Sequence, residues 1–174
     1  MSASAEEIQL LKELISRYSP SEQERPAVEF LVAEMARWGF ESRIDDAGNA
    51  VGVLGAGRKE VLLLGHIDTV TGWVDIREEG SLLYGRGAVD AKGPLSAFVA
   101  GATRAMKRLA PDELRIKVVG AVEEEAATSR GARHLLTQGR PDYVVIGEPS
   151  RWDRITLGYK GRLLIDYAFQ QERR

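Results

Sequence analysis

The stretch Val61-Leu62-Leu63-Leu64-Gly65-His66-Ile67-Asp68-Thr69-Val70 decides the fold. Four large apolar residues in succession fit a strand covered on both faces, because a strand with one wet face would alternate. Such strands belong to parallel sheets with helices on either side, and ligands of those sheets bind at the strands' carboxyl ends. There the run gives way to His66 and Asp68. If the chain stays extended, its period of two places both side chains on one face. A metal-binding imidazole beside a carboxylate that orients or charges it is the natural reading.

Upstream, Ser4-Ala5-Glu6-Glu7 fits a capping box, and Ile8, Leu11, Leu14, Ile15 and Tyr18 follow at helical spacing, predicting a helix over about residues 5 to 18. Pro20 stops it. Ser21-Glu22-Gln23-Glu24 repeats the box signature, and Val28, Leu31, Val32 and Met35 form the next apolar stripe, ended by Gly39. Pro26 would fall late in that first turn and moves the expected start toward Arg25. Phe40 to Ile44 and Ala50 to Leu54 read as a hairpin joined by the turn-forming residues Asp45 to Asn49. No residue of this first third is assigned to catalysis.

Downstream, Thr69 to Trp73 reads as a loop, and glycines at 85, 87 and 93 mark tight backbone before the helical pattern Leu95, Phe98, Val99, Ala102, Met106 and Leu109. Asp90 stands just before that helix, where a carboxylate can serve simply as a cap. Arg115 to Val122 reads as a strand that runs into Glu123-Glu124-Glu125. Three carboxylates together repel one another, so either a nearby cation compensates them or the loop is solvated. Ser129 is expected to cap a helix to about Gln138, and Tyr143 to Ile146 reads as a buried strand ending in Gly147-Glu148-Pro149. Ile155 to Tyr159 and Arg162 to Phe169 read as further strands joined at Lys160-Gly161. The fold class is therefore α/β, a three-layer α/β/α arrangement around a central mixed, mainly parallel sheet.

Composition narrows the chemistry. The chain has 174 residues, 44% of them hydrophobic and 29% charged, enough for one well-packed domain. A net charge of -2 argues against a nucleic-acid or anionic-membrane surface, which needs a concentrated basic face. With no cysteine, thiolate metal sites, disulfides and a catalytic thiol are excluded, so any metal is held by His, Asp and Glu. The N-terminus lacks the pattern of a signal peptide, and no apolar stretch approaches the roughly 18 residues of a membrane span, so a cytoplasmic protein is expected. One imidazole and several carboxylates at strand ends suit a two-metal hydrolytic site.

Gly65-His66-Ile67-Asp68-Thr69-Val70, Gly85-Arg86-Gly87-Ala88-Val89-Asp90-Ala91-Lys92-Gly93, Glu123-Glu124-Glu125 and Gly147-Glu148-Pro149-Ser150 resemble, in this order, the successive motifs of the zinc amidohydrolases that include acetylornithine deacetylase, succinyl-diaminopimelate desuccinylase and carboxypeptidase G. The resemblance implies a zinc-peptidase-like fold and two Zn2+ ions, with Co2+ as a possible substitute. On the matching positions, His66 resembles the imidazole ligand of one ion, Asp90 the carboxylate bridging both, and Glu148 the further ligand of the ion held by His66. Glu125 resembles a ligand of the other ion, Glu124 the general base, and Asp68 the carboxylate that buttresses His66. Helical continuation toward Ser129, together with the family's acidic-Glu-Glu pattern, favours Glu124 and Glu125 over Glu123 and Glu124. His134, remote from every motif, is read as structural or surface.

The function implied is hydrolysis of the amide bond of an N-acyl amino acid. Ala-Val-Glu-Glu-Glu-Ala and Gly-Tyr-Lys-Gly-Arg look most similar to the lysine- and ornithine-releasing hydrolases (acetyl-lysine deacetylase) of lysine and arginine biosynthesis, whose partner is a small acidic amino-group carrier protein. Residues 1–158 then correspond to the N-terminal part of the catalytic domain and 159–174 to the start of a lid and dimerisation domain, through which full-length relatives form homodimers. The remainder, with a late histidine for the second zinc, is absent from these 174 residues. One ion keeps His66, Asp90 and Glu148, and the other only Asp90 and Glu125, so impaired activity and exposed apolar edges are expected. Two other readings stand beside this one: a non-catalytic metal-binding fragment and a zinc aminopeptidase.

Overall fold

The computed structural model describes residues 4–151, 153–158, 161, 163 and 165–171. Helix α1 (Ala5–Ile15) opens with the expected capping box, the Ser4 side chain accepting the Glu7 amide while the Glu7 side chain accepts that of Ser4. It ends before Tyr18, whose hydroxyl accepts the Gly72 amide at 2.9 Å instead of extending the helical face. Helix α2 (Arg25–Arg37) starts where Pro26 allows, since an amide hydrogen is not needed in the first turn. The second expected box does not form: Glu24 makes no side-chain cap bond. Gly39, at φ 91°, turns the chain out of α2.

Strands β1 (Glu41–Ile44) and β2 (Ala50–Leu54) make the predicted hairpin, its turn closed by Asp45 Oδ1, which accepts the amides of Ala47 and Asn49. After β3 (Lys59–His66) come a two-stranded ribbon, β4 (Arg77–Glu79) with β5 (Leu82–Tyr84), then α3 (Lys92–Met106), β6 (Leu114–Ala121), α4 (Arg130–Leu135) and β7 (Tyr143–Ile146). The main sheet has the order β1-β2-β6-β3-β7. β3 runs parallel to β6 and β7, while β2 is antiparallel to both β1 and β6, so β2 alone opposes the other strands. This is the mixed, mainly parallel sheet that the sequence predicts.

The period of two divides the strands between two layers. Ile116, Val118 and Leu63 face the principal core, with Leu10 and Leu14 of α1, Val28, Leu31 and Met35 of α2, and Leu95 and Val99 of α3. Val51, Leu62, Leu64 and Val119 face the other side and are covered by Leu135 of α4. Each fully buried aliphatic side chain contributes about 1.5–3 kcal/mol. The first face therefore carries most of the stability, and the second is a thin layer under one short helix.

Four local expectations differ from the observed structure. Tyr143 to Ile146 form a strand, but at the sheet edge, where they are 46–58% exposed, since only β3 pairs with them among the described residues. The β4–β5 ribbon has no counterpart in the sequence reading, because its first strand, Arg77–Glu79, is charged and wholly exposed and carries no apolar alternation. Ser129 makes no side-chain cap, and α4 stops at Leu135. Of the two strands expected near the C-terminus, residues 154–158 and 165–171 adopt no regular structure, and Tyr159, Lys160, Arg162 and Leu164 lie outside the described residues. A strand exists by its ladder, and Leu163, Ile165, Tyr167 and Phe169 stand exposed without one. Among the described residues no helix is long and apolar enough to cross a membrane.

Candidate metal centre

The sheet registers His66 at the end of β3 with Ala121 at the end of β6, and Leu64 with Ile146 at the end of β7. Three parallel strands thus stop almost abreast with β3 in the middle, and the connections leaving them converge on one spot. His66 is 2% exposed there. Its Nδ1 lies 2.9 Å from the main-chain oxygen of Asp68, and its Nε2 lies 3.0 Å from Asp90 Oδ1. Both ring nitrogens therefore face acceptors. Burial pushes the imidazole pKa down, but the hydrogen bonds to Asp68 and Asp90 outweigh it and raise the value to about 9.

Asp68 is fully buried and faces several partners at once. Its carboxylate stands 3.4 Å from His66 Nδ1 and its own carbonyl oxygen 2.9 Å, so the ring nitrogen faces both oxygens of this residue, the main-chain one closer. Oδ1 accepts the Glu124 amide at 3.0 Å; Oδ2 accepts the Glu125 amide at 3.0 Å and the Ser21 hydroxyl at 2.7 Å. Burial raises the pKa of this carboxyl, but the approach of His66, the Ser21 hydroxyl and the two amides prevail and hold it below the usual carboxylate range. Asp90, for its part, is no helix cap. The N-cap of α3 is Ala91, without a side-chain bond, and the Asp90 carboxylate turns to His66.

The three glutamates after β6 do not share a face. Glu123, at φ 57°, is buried and turned away, its Oε1 taking Arg130 Nε at 2.8 Å and its Oε2 the Thr128 hydroxyl at 2.6 Å. Glu124 and Glu125 turn to His66, with Glu124 Oε2 at 3.9 Å from Nε2. The residues between Val122 and Ser129 are not helical, so the argument from helical continuation fails although the same two glutamates face the site. On the other flank, Gly147 donates its amide to Leu64 O at 2.8 Å and lets β7 end against α3, because a Cβ there would come within 2.6 Å of the Phe98 ring. Glu148 is the next residue.

Two groups of ligand atoms result, His66–Asp90–Glu148 and His66–Glu124–Glu125, each with its atoms within 4.8 Å of one another. Burial, followed by the charge of Asp90, raises the pKa of Glu125. Burial also raises that of Glu148; His66 partly opposes this, and Glu124 and Asp90 add to it. Crowded carboxylates around one cationic ring are a donor set for a divalent cation, and an imidazole nitrogen with carboxylate oxygens suits zinc. The pair expected for a second ion, Asp90 with Glu125, does not appear as a three-residue group of its own among the described residues. His134 lies on α4 beside Asp45, at 3.8 Å, and belongs to neither group.

Four residues of the first third, where no function was expected, reach this region, Ser19 among them with its hydroxyl donating to Ile67 O. Ser21 holds Asp68; Glu24 Oε1 accepts the Glu123 amide at 3.0 Å; and buried Asn49 accepts the Val122 amide at 3.0 Å while donating to Gly131 O. The only sequence signal was the Ser21-x-x-Glu24 spacing, which reads as a helix cap.

Residues 62–171 match the family description Peptidase family M20/M25/M40. The chain is 49% identical over 168 residues to the LysW-lysine hydrolase of Deinococcus radiodurans, covering 94% of this chain and 45% of that protein. It is 39% identical over 160 residues to the LysW-lysine/LysW-ornithine hydrolase of Sulfurisphaera tokodaii, covering 91% of this chain and 43% of that one. The chain spans a little under half the length of these curated relatives. The M20 family metallo-carboxypeptidase Sso-CP2 of Sulfolobus solfataricus superposes with a TM-score of 0.68 at 20% identity, over 83% of this chain and 37% of that one. At that identity the likeness is one of fold.

Proposed function

The chain belongs to peptidase family M20/M25/M40, and from that premise we propose that its site serves metal-dependent hydrolysis of the amide bond of an N-acyl amino acid. The substrate class is lysine or ornithine joined to a small acidic amino-group carrier protein, in amino-acid biosynthesis. The relatives' names support that choice. The observation that carries the chemistry is the buried imidazole of His66, shared by two groups of carboxylates, with the Glu124 side chain 46% exposed beside it.

His66, Asp90 and Glu148 would hold one Zn2+, for which Co2+ can substitute, and Glu125 with Asp90 would contribute to a second. A divalent ion bound there supplies Lewis acidity, acidifying water and polarising the amide carbonyl. Glu124 takes a proton from the attacking water. The water oxygen adds to the carbonyl carbon, the carbon–nitrogen bond breaks, and Glu124 passes its proton to the leaving amine. Asp68 fixes the amides that carry Glu124 and Glu125. Residues 1–158 form the N-terminal part of the catalytic domain and 159–174 the start of a lid and dimerisation domain; the whole enzyme acts as a cytoplasmic homodimer. The 174-residue chain, with one full ligand set, is expected to turn over slowly.

The test separates the base from the ligand. Glu124→Gln lowers turnover of a carrier-linked lysine or an N-acyl-lysine by about 100-fold or more and leaves zinc content near wild type, whereas His66→Ala loses the zinc itself. Equal metal loss in both contradicts the assignment of Glu124. Zinc binding without any turnover of the wild-type chain favours a non-catalytic metal-binding fragment, and preference for free peptides over N-acyl amino acids favours an aminopeptidase.

A further inference from the structure

Ser21 and Glu24 share the linker between α1 and α2, and their spacing is used for something other than a cap. The linker is laid along the residues just past β3: Ser19 Oγ donates to Ile67 O at 2.8 Å, the Thr69 amide donates to Ser19 O at 2.9 Å, and Pro20 forms a parallel bridge with Thr69. From that fixed position Ser21 donates to Asp68 Oδ2, and Glu24, only 4% exposed, accepts the Glu123 amide. Asp68 in turn takes the amides of Glu124 and Glu125 on its two oxygens. Three successive amides of the acidic turn therefore each end on a buried carboxylate oxygen. Rotating any peptide of the turn would break one of these bonds to a buried carboxylate, at a cost above that of an exposed bond.

We propose that Ser21 and Glu24 are positioning residues of the metal centre, fixing the turn through Asp68 and through the Glu123 amide so that Glu124 and Glu125 are held toward His66. Neither touches a ligand atom of the two groups. The functional meaning rests on the metal-site reading, but the geometry belongs to the metal-free chain and is tested there first.

Amide hydrogen exchange in the metal-free 174-residue chain reads the turn directly. Ser21→Ala releases Oδ2 and speeds exchange of the Glu125 amide by about tenfold, affecting Glu124, held on Oδ1, less. Glu24→Ala does the same for the Glu123 amide, while Glu24→Gln, which keeps an acceptor oxygen, stays near wild type. In calorimetric titration with zinc alone, each alanine variant weakens binding about tenfold, and Ser21→Thr and Glu24→Gln recover it. Unchanged exchange at all three amides in both alanine variants overturns the proposal, as does a loss of zinc affinity that the conservative variants fail to recover. If the wild-type chain binds no zinc, the metal-site reading itself falls, and the exchange measurements still decide whether these residues hold the turn.

Discussion

His66 sets the chemistry at the scale of single residues. Its folded pKa of about 9 lies above the ordinary 6.5, so the protonated ring contributes stability that is fully present below pH 6.5 and is lost as pH rises through 9. The raised pKa values of Glu125 and Glu148 have the same sign, since burial first, and the neighbouring carboxylates after it, make their charged forms costly. The thermal midpoint of the metal-free chain is therefore expected to fall between pH 6.5 and about 8, above which buried Lys92, whose pKa desolvation lowers to about 8, offsets further loss as it sheds its charge. Saturating zinc is expected to oppose that fall by replacing the Nε2 proton with a cation. Calorimetry across that range checks it, and a level or rising midpoint in the metal-free chain contradicts it. His66, Asp90, the run Glu123 to Glu125 and Glu148 stood out in the sequence because each lies at a strand end or beside a helix start, whereas the choice of Glu124 and Glu125 over Glu123 rested on the family resemblance. The division of contacts within Asp68 was not legible there, because no pattern of residue types distinguishes a main-chain oxygen from a carboxylate. Ser21 and Glu24 were hidden by a local motif with a sufficient local explanation.

At the scale of elements, the candidate site arises because β6, β3 and β7 end nearly in register and three different connections bring acids to the same point. The apolar run at 61–64, and the stretch 115–122 that alternates and then turns apolar, were enough to identify two of these strands, since burial writes itself into the residue pattern. β4 and β5 could not be found that way, because an exposed charged ribbon has no face to bury. The placement of Glu148 depends on the close approach of Gly147 to Phe98. Gly147→Ala is expected to force the Phe98 ring aside, cost about 1–3 kcal/mol of stability, and weaken zinc binding because Glu148 moves with the strand end. Denaturant unfolding and zinc titration of the same variant measure both; a fully stable variant with unaltered zinc affinity contradicts this account of the β7–α3 contact.

For the whole molecule, the notable asymmetry is between a thick helical layer on one face of the sheet and an exposed apolar edge. Val144, Val145 and Ile146 are 46–58% exposed on β7, and its outer edge has no strand partner among the described residues. Open, apolar edges invite pairing. The 174-residue chain is expected to associate with rising concentration in sedimentation experiments, and Val145→Lys to shift it toward the monomer. Concentration-independent monomer for the wild type contradicts that expectation. The mixed sheet and its helical layers were readable from apolar periodicity, but the exposure of β7 was not, because a run of four apolar residues looks the same in the middle of a sheet and at its rim. The central claim, that this fold assembles a divalent-metal centre on His66, is tested most directly by anomalous diffraction from zinc-soaked crystals of the chain. The account predicts an anomalous peak about 2.0–2.2 Å from His66 Nε2 and from carboxylate oxygens of Asp90 and Glu148; a peak elsewhere, or none at saturating zinc, would contradict it.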